Sequence, residues 1–221
     1  MIIAWFISKY SSLDRQSKVI EIGSGNGIIS IVLKHRGFIP SITCFEIQKE
    51  LFCILKKNII TNSLSHCLFP VSENFVSYPL ESEKYDAVFT NPPYYSVGSG
   101  RLSPSSQKAH CKYEFYGSLE DFFKKSSFIL KKKASLFCIY PVSKIQSCLS
   151  CAYKYDMHAK EIIMTKEYYS SQPSLFCVRF IKSKSRTTLT EFDTITMKKN
   201  SGEYTETGKN IMFSDEKNNK F

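Results

Sequence analysis

The chain has 221 residues, 43% of them hydrophobic, which excludes a wholly disordered protein and leaves room for one packed domain with at most an appendage. The 30 Lys and Arg against 20 Asp and Glu leave a formal charge of +10, the balance of a protein with a polyanionic partner, although the runs Lys131–Lys133 and Lys182–Arg186 also suit solvated faces. No apolar run reaches the roughly 18 residues of a membrane span and no leader-like segment opens the chain, so the expectation is a cytoplasmic protein.

The run SKVIEIG from Ser17 predicts a strand that ends in glycines, and IISIVLKHRG after it has helical spacing with Gly37 as its stop. SITCFEI reads as a second strand, QKELFCILKKNIITN as a helix, HCLFPVSE as a third strand and YDAVFT as a fourth. Strands alternating with helices predict a parallel sheet covered on both faces, with ligands gathered at the carboxyl ends of the strands. A long polar stretch, SVGSGRLSPSSQKAHCKYEFYG, follows the fourth strand, and loops of that length are usually functional or mobile. A helix begins at Leu119, with Ser118 as N-cap and Asp121 placed for a capping box. ASLFCIYP is a fifth strand, Lys144 to Tyr155 a helix, and AKEIIMT and SLFCVRFIK two further strand-like runs. The tail from Ser183 is polar and ends in SDEKNNKF.

The cysteines at 44, 53, 67, 111, 138, 148, 151 and 177 lie mostly within apolar runs and read as small buried hydrophobes. Cys148 and Cys151 form a lone C-x-x-C without the further ligands that structural zinc requires, so no metal is expected.

Chemistry gathers at the strand ends. Glu21 to Gly27 reads EIGSGNG, a glycine turn at a strand-to-helix junction, and Glu46 closes the second strand 21 residues after Gly25, near the spacing at which an acid meets ribose hydroxyls. The turn is not the G-x-G-x-x-G of pyrophosphate sites, so the ligand need not carry a pyrophosphate. The fourth strand ends in Asn-Pro-Pro-Tyr-Tyr. Prolines explain why sheet and helix both stop there, but not the preceding amide Asn91 or the following aromatics Tyr94 and Tyr95.

A glycine turn after strand one, an acid ending strand two, Glu73 after strand three and N-P-P-Y after strand four, in that order, resemble the S-adenosylmethionine-dependent class I methyltransferases that act on amino nitrogens. Through KNIITN, NPPYYSVGS, KAHCKYE and the tail FDTITMKKNSGEYTETGKNI, the chain is most similar to the bacterial tRNA (valine) adenine-N6 methyltransferases, over most of its length. The resemblance implies a Rossmann-like fold, α/β and doubly wound, with a mostly parallel seven-stranded sheet and an antiparallel last strand. It divides the chain into a methyltransferase domain, residues 1–183, and an extension, 184–221, made of a closing strand and a polar tail.

The resemblance also implies roles. Glu21, Gly23, Gly25 and Gly27 would meet the methionine and ribose parts of S-adenosylmethionine, Glu46 the ribose hydroxyls, and Glu73 and Asn74 the adenine edge. Asn91, beside the cofactor, and the carbonyl of Pro92 would accept both N–H bonds of the target amine, while Tyr94 stacks on the base. Tyr95, Arg101, Lys108 and Lys112 would serve tRNA binding by a monomer. The family carries a segment upstream of the stretch matched by MIIAWFISKY, so the expectation is a chain missing part of the cofactor's cover, or a start placed too late. Two alternatives remain: an N-P-P-Y enzyme acting on an rRNA guanine or a protein glutamine, or a truncated RNA-binding paralogue without activity.

Overall fold

The computed structural model describes residues 1–92 and 118–213. In chain order its elements are α1 (Ile2–Tyr10), β1 (Lys18–Ile22), α2 (Ile28–His35), β2 (Ser41–Phe45), α3 (Lys49–Thr61), β3 (Leu68–Val71) and β4 (Tyr85–Thr90). After the undescribed segment come α4 (Leu119–Ile129), β5 (Leu130–Pro141), α5 (Ile145–Tyr153), β6 (Met157–Tyr168), β7 (Leu175–Lys182), β8 (Glu191–Lys198) and α6 (Glu206–Phe213).

The strands form one sheet in the order β3-β2-β1-β4-β5-β7-β6-β8. β1 to β5 pair parallel with one another, whereas β7 lies antiparallel between β5 and β6. Seven strands with an antiparallel last member therefore describe the chain as far as β7. The closing strand of the extension, β8, pairs parallel with β6 and makes the sheet eight-stranded rather than seven-stranded.

The apolar runs are continuous rather than alternating because both faces are covered. Val19, Ala87, Phe89 and Phe137 pack on one face with α1, α2 and α3, while Ile20, Val88, Leu136 and Cys138 pack on the other with α4 and α5. Helix α1 buries Ile3, Ala4, Phe6 and Ile7, and the Phe6 ring meets Phe137 edge-on at 6.1 Å between centroids. The capping box at α4 forms as its residues predict: Asp121 N–H donates to Ser118 Oγ at 3.1 Å and Ser118 N–H to Asp121 Oδ2 at 2.9 Å.

The polar tail contains a helix that its composition does not announce. Arg36, buried at the end of α2, donates to the carbonyl of Ile211 at 2.5 Å, and Thr205 Oγ1 accepts from Gly208 N–H at 2.9 Å. Gly208 packs so closely against the carbonyl of Met197 that a Cβ there has no room. Residues 214–221, the whole of SDEKNNKF, lie outside the described residues. Among the described residues, no helix is long and apolar enough to cross a membrane, and no group of three or more His, Cys, Asp or Glu is placed to hold a metal ion.

Candidate nucleoside site at the carboxyl ends of four strands

Four loops leave the sheet from one row. Ile22 pairs with Phe45 and with Thr90, and Phe45 pairs with Val71, so the last residues of β1, β2, β3 and β4 lie side by side. At about 4.8 Å between strands, the row spans roughly 14 Å from β3 to β4. The strand order reverses between β1 and β4, the switch point at which doubly wound sheets open a crevice. Among the described residues, the glycine turn, Glu46, Asn74, Asn91 and Pro92 sit on or next to that row.

The glycine turn is fastened to the neighbouring strand. Ser24 N–H donates to the carbonyl of Phe45 at 2.9 Å, Gly27 N–H to the carbonyl of Ser24 at 2.8 Å, and Gly25 N–H to Glu46 Oε2 at 2.8 Å. Gly27 has φ +86°, a left-handed backbone that strains any L side chain, and a Cβ there would stand 2.6 Å from Leu55 Cδ1 of α3. Gly23 and Gly25 face the other way: a Cβ on either would meet nothing within 4 Å, which leaves their backbone open to a ligand.

Glu46 is only 3% exposed. Its Oε2 takes the Gly25 amide and its Oε1 takes the Gln48 amide, both at 2.8 Å. Each carboxylate oxygen has further acceptor capacity after one hydrogen bond, so Glu46 both holds the turn and presents acceptors beside it.

Next to Glu46 a cavity of about 30 Å³ is lined by Ile22, Gly23, Phe45, Ile47, Asn74 and Phe75. Phe45 is held edge-on by Phe75 at 5.7 Å and by Tyr78 at 5.2 Å, and Asn74 Oδ1 accepts from Val76 N–H at 2.8 Å, which fixes the loop after β3. The cavity itself is water-sized, but the groups around it are of the kinds a nucleoside needs: a carboxylate and an open glycine backbone for hydroxyls, and apolar side chains with an amide at their edge for a flat ring. Of the pair Glu73 and Asn74, the structure brings only Asn74 to this slot; Glu73 is exposed and does not line it.

Glu21 also departs from its expected place. Strand residues alternate in direction, so while Ile22 lines the slot, Glu21 points under α2, wholly buried, and accepts from the Ser30 hydroxyl. Burial pushes its carboxyl up to about 7; hydrogen bonds from Ser30, Ser24 and Cys44 pull the other way, and the charge of Glu46 adds to the rise. Glu21 therefore supports the turn from beneath and does not reach the slot.

At the other end of the row, Thr90 Oγ1 donates to the carbonyl of Ile22 at 2.9 Å and ties the end of β4 to the start of the glycine turn. Asn91 follows, exposed, and Pro92 is half-buried. Tyr94, Tyr95, Arg101, Lys108 and Lys112 lie outside the described residues. Ile47, Phe75 and Asn58 belong to the neighbourhood without having been singled out as site residues; the first two directly follow Glu46 and Asn74, and the third sits in the KNIITN segment.

Residues 5–103 match the methyltransferase small domain family. A tRNA1(Val) (adenine(37)-N6)-methyltransferase of Christiangramia forsetii is 22% identical over 210 residues, 93% of this chain and 85% of that protein. The resemblance to these methyltransferases holds. An enzyme of the same name from Bacteroides fragilis is 22% identical over 191 residues, 84% of this chain and 79% of its own. Among solved structures, a predicted O-methyltransferase from Agrobacterium tumefaciens superposes with a TM-score of 0.72 at 17% identity, covering 94% of each chain. The methyltransferase fold accounts for the sheet order, the antiparallel β7 and the crevice at the β1/β4 switch point.

Proposed function

We propose that this chain is an S-adenosylmethionine-dependent methyltransferase acting on N6 of an adenine in tRNA, adenine 37 of a valine tRNA being the specific target. The observation that carries the proposal is the single row of strand ends, on which the Asn74 slot, Glu46, the open glycine turn and Asn91-Pro92 follow one another across β3, β2, β1 and β4. The names of the relatives supply the target class. The charge of +10 suits a phosphate-rich substrate.

When bound, the cofactor supplies an electrophilic methyl group on a sulfonium. The chain supplies position. Glu46 would hold the ribose hydroxyls with the lone pairs left after the Gly25 and Gln48 amides are served. Ile47, Phe75 and Asn74 would hold the adenine, and the open backbone of Gly23 and Gly25 the remainder. An exocyclic amine conjugated to its ring is a poor nucleophile, because its lone pair is spread into that ring. The Asn91 amide oxygen and the Pro92 carbonyl accept its two N–H bonds and turn the lone pair toward the methyl group. Pro92 fixes its own φ, so its carbonyl is set before the base arrives. Tyr94 stacks on the base, a contact worth roughly 1–3 kcal/mol. Catalysis is then positioning and preorganised dipoles.

The test is to incubate the protein with unmodified valine tRNA and methyl-labelled cofactor, then digest and identify nucleosides by mass spectrometry. N6-methyladenosine that disappears when adenine 37 is replaced is the expected result. Label on guanine, label only in added protein, or no transfer would reject the proposal.

A further inference from the structure

We infer that Asn58, on α3, is a positioning residue for the cofactor-binding turn. This rests on the methyltransferase reading of the site. Asn58 Nδ2 donates to the carbonyl of Asn26 at 2.8 Å, across 32 residues of sequence, and Asn26 is the residue between Gly25 and Gly27. The Asn26 side chain in turn accepts from Ile28 N–H at 3.2 Å, so one residue joins the turn to the first amide of α2.

The bond is one of two contacts from a single helix face. Leu55 and Asn58 are spaced to lie together on that face, and a Cβ at Gly27 would stand 2.6 Å from Leu55 Cδ1. Leu55 thus packs against the turn while Asn58 holds the carbonyl of Asn26. From the other side Glu46 takes the Gly25 amide. The turn is held between an acid on the end of β2 and an amide on α3, with the open backbone of Gly23 and Gly25 left facing the ligand. α3 itself is fastened by a chain of side-chain bonds: Asn62 Nδ2 donates to the carbonyl of Asn58 at 2.8 Å, and Asn62 Oδ1 lies 3.3 Å from His35 Nε2 on α2.

A positioning role predicts a specific pattern. Asn58→Asp keeps the shape but removes the donor. Losing one net hydrogen bond of about 0.5–1.5 kcal/mol corresponds to a loss of up to roughly tenfold in affinity. Calorimetry should therefore show S-adenosylmethionine binding weakened roughly two- to tenfold, with the KM for the cofactor rising in step and the single-turnover rate at saturating cofactor within about twofold of the parent. Asn58→Gln, which keeps a donor, should recover part of the affinity. Hydrogen exchange at the amides of residues 25–28, measured without cofactor, should quicken at least about fivefold in Asn58→Asp while the amides of β1 are unchanged. Unchanged affinity in a parent that binds the cofactor, or unchanged exchange of the turn, would overturn the inference. Absence of cofactor binding by the unsubstituted protein would instead overturn the methyltransferase reading, and the exchange measurement would still report whether Asn58 holds the turn.

Discussion

Replacing Glu46 by Ala probes two functions of one carboxylate. Its oxygens hold the amides of Gly25 and Gln48, both at 2.8 Å, and the side chain is 3% exposed, so truncation removes two charge-assisted bonds from the folded protein before any ligand is considered. Gly25 and Gln48 are half-buried, and water entering the gap recovers part of the loss. The net cost to stability is then about 1–3 kcal/mol, which for a chain of this size lowers the melting temperature by roughly 2–10 °C. The second loss is felt only by the ligand. Two ribose hydroxyls that no longer meet a charged acceptor cost roughly 1.5–3 kcal/mol each, so S-adenosylmethionine affinity should fall at least about tenfold. Calorimetry at a temperature where the variant is folded, beside thermal melts of the same samples, separates the two losses. Full cofactor affinity in folded Glu46→Ala protein would refute the assignment. An unchanged melting temperature would refute the claim that Glu46 holds the turn.

Asn91→Ala should lower single-turnover methylation roughly 10²–10³-fold while cofactor affinity stays within about twofold, and near-normal transfer by the folded variant would exclude Asn91 from orienting the amine. Tyr94→Phe should retain much of the activity that Tyr94→Ala loses, since the ring and not the hydroxyl does the stacking. The Glu21 carboxyl titrates near 7 when folded against an ordinary 4.5, so its ionised form is disfavoured by folding: its contribution is favourable below about 4.5 and is lost as pH rises toward 7. That gap amounts to roughly 3 kcal/mol, and denaturant midpoints of Glu21→Gln should fall less between those pH values than those of the parent; parallel profiles would refute the burial argument. Neutralising Arg101, Lys108 and Lys112 together should flatten the dependence of tRNA affinity on salt, and an unaltered slope would place the phosphate contacts elsewhere.

Local physics made much of this architecture legible in the residues alone. The switch between short apolar runs and 3.6-residue periodicity marks β1 through β4 and their helices, because burial on both faces leaves few polar positions in such strands. Ser118 and Asp121 announce the start of α4 because a capping box needs only a few consecutive residues. EIGSGNG and the prolines after β4 announce the carboxyl ends of β1 and β4 for the same reason: backbone conformation is a local property.

Three matters depended on the tertiary structure. Glu21 and Glu46 are both acids at the glycine turn, yet only the packing of α2 over β1 buries one against Ser30 and leaves the other on the Gly25 amide. Glu73 and Asn74 are adjacent, and the loop held by Val76 and Phe75 decides which of them lines the cavity. Asn58 meets Asn26, and Arg36 meets the end of α6, only because the sheet lays α2 and α3 side by side and returns the C-terminal helix to them. Contacts at separations of 32 and 175 residues carry no local signature, since either partner alone is an ordinary polar side chain on a helix or a turn, and the fold supplies the other.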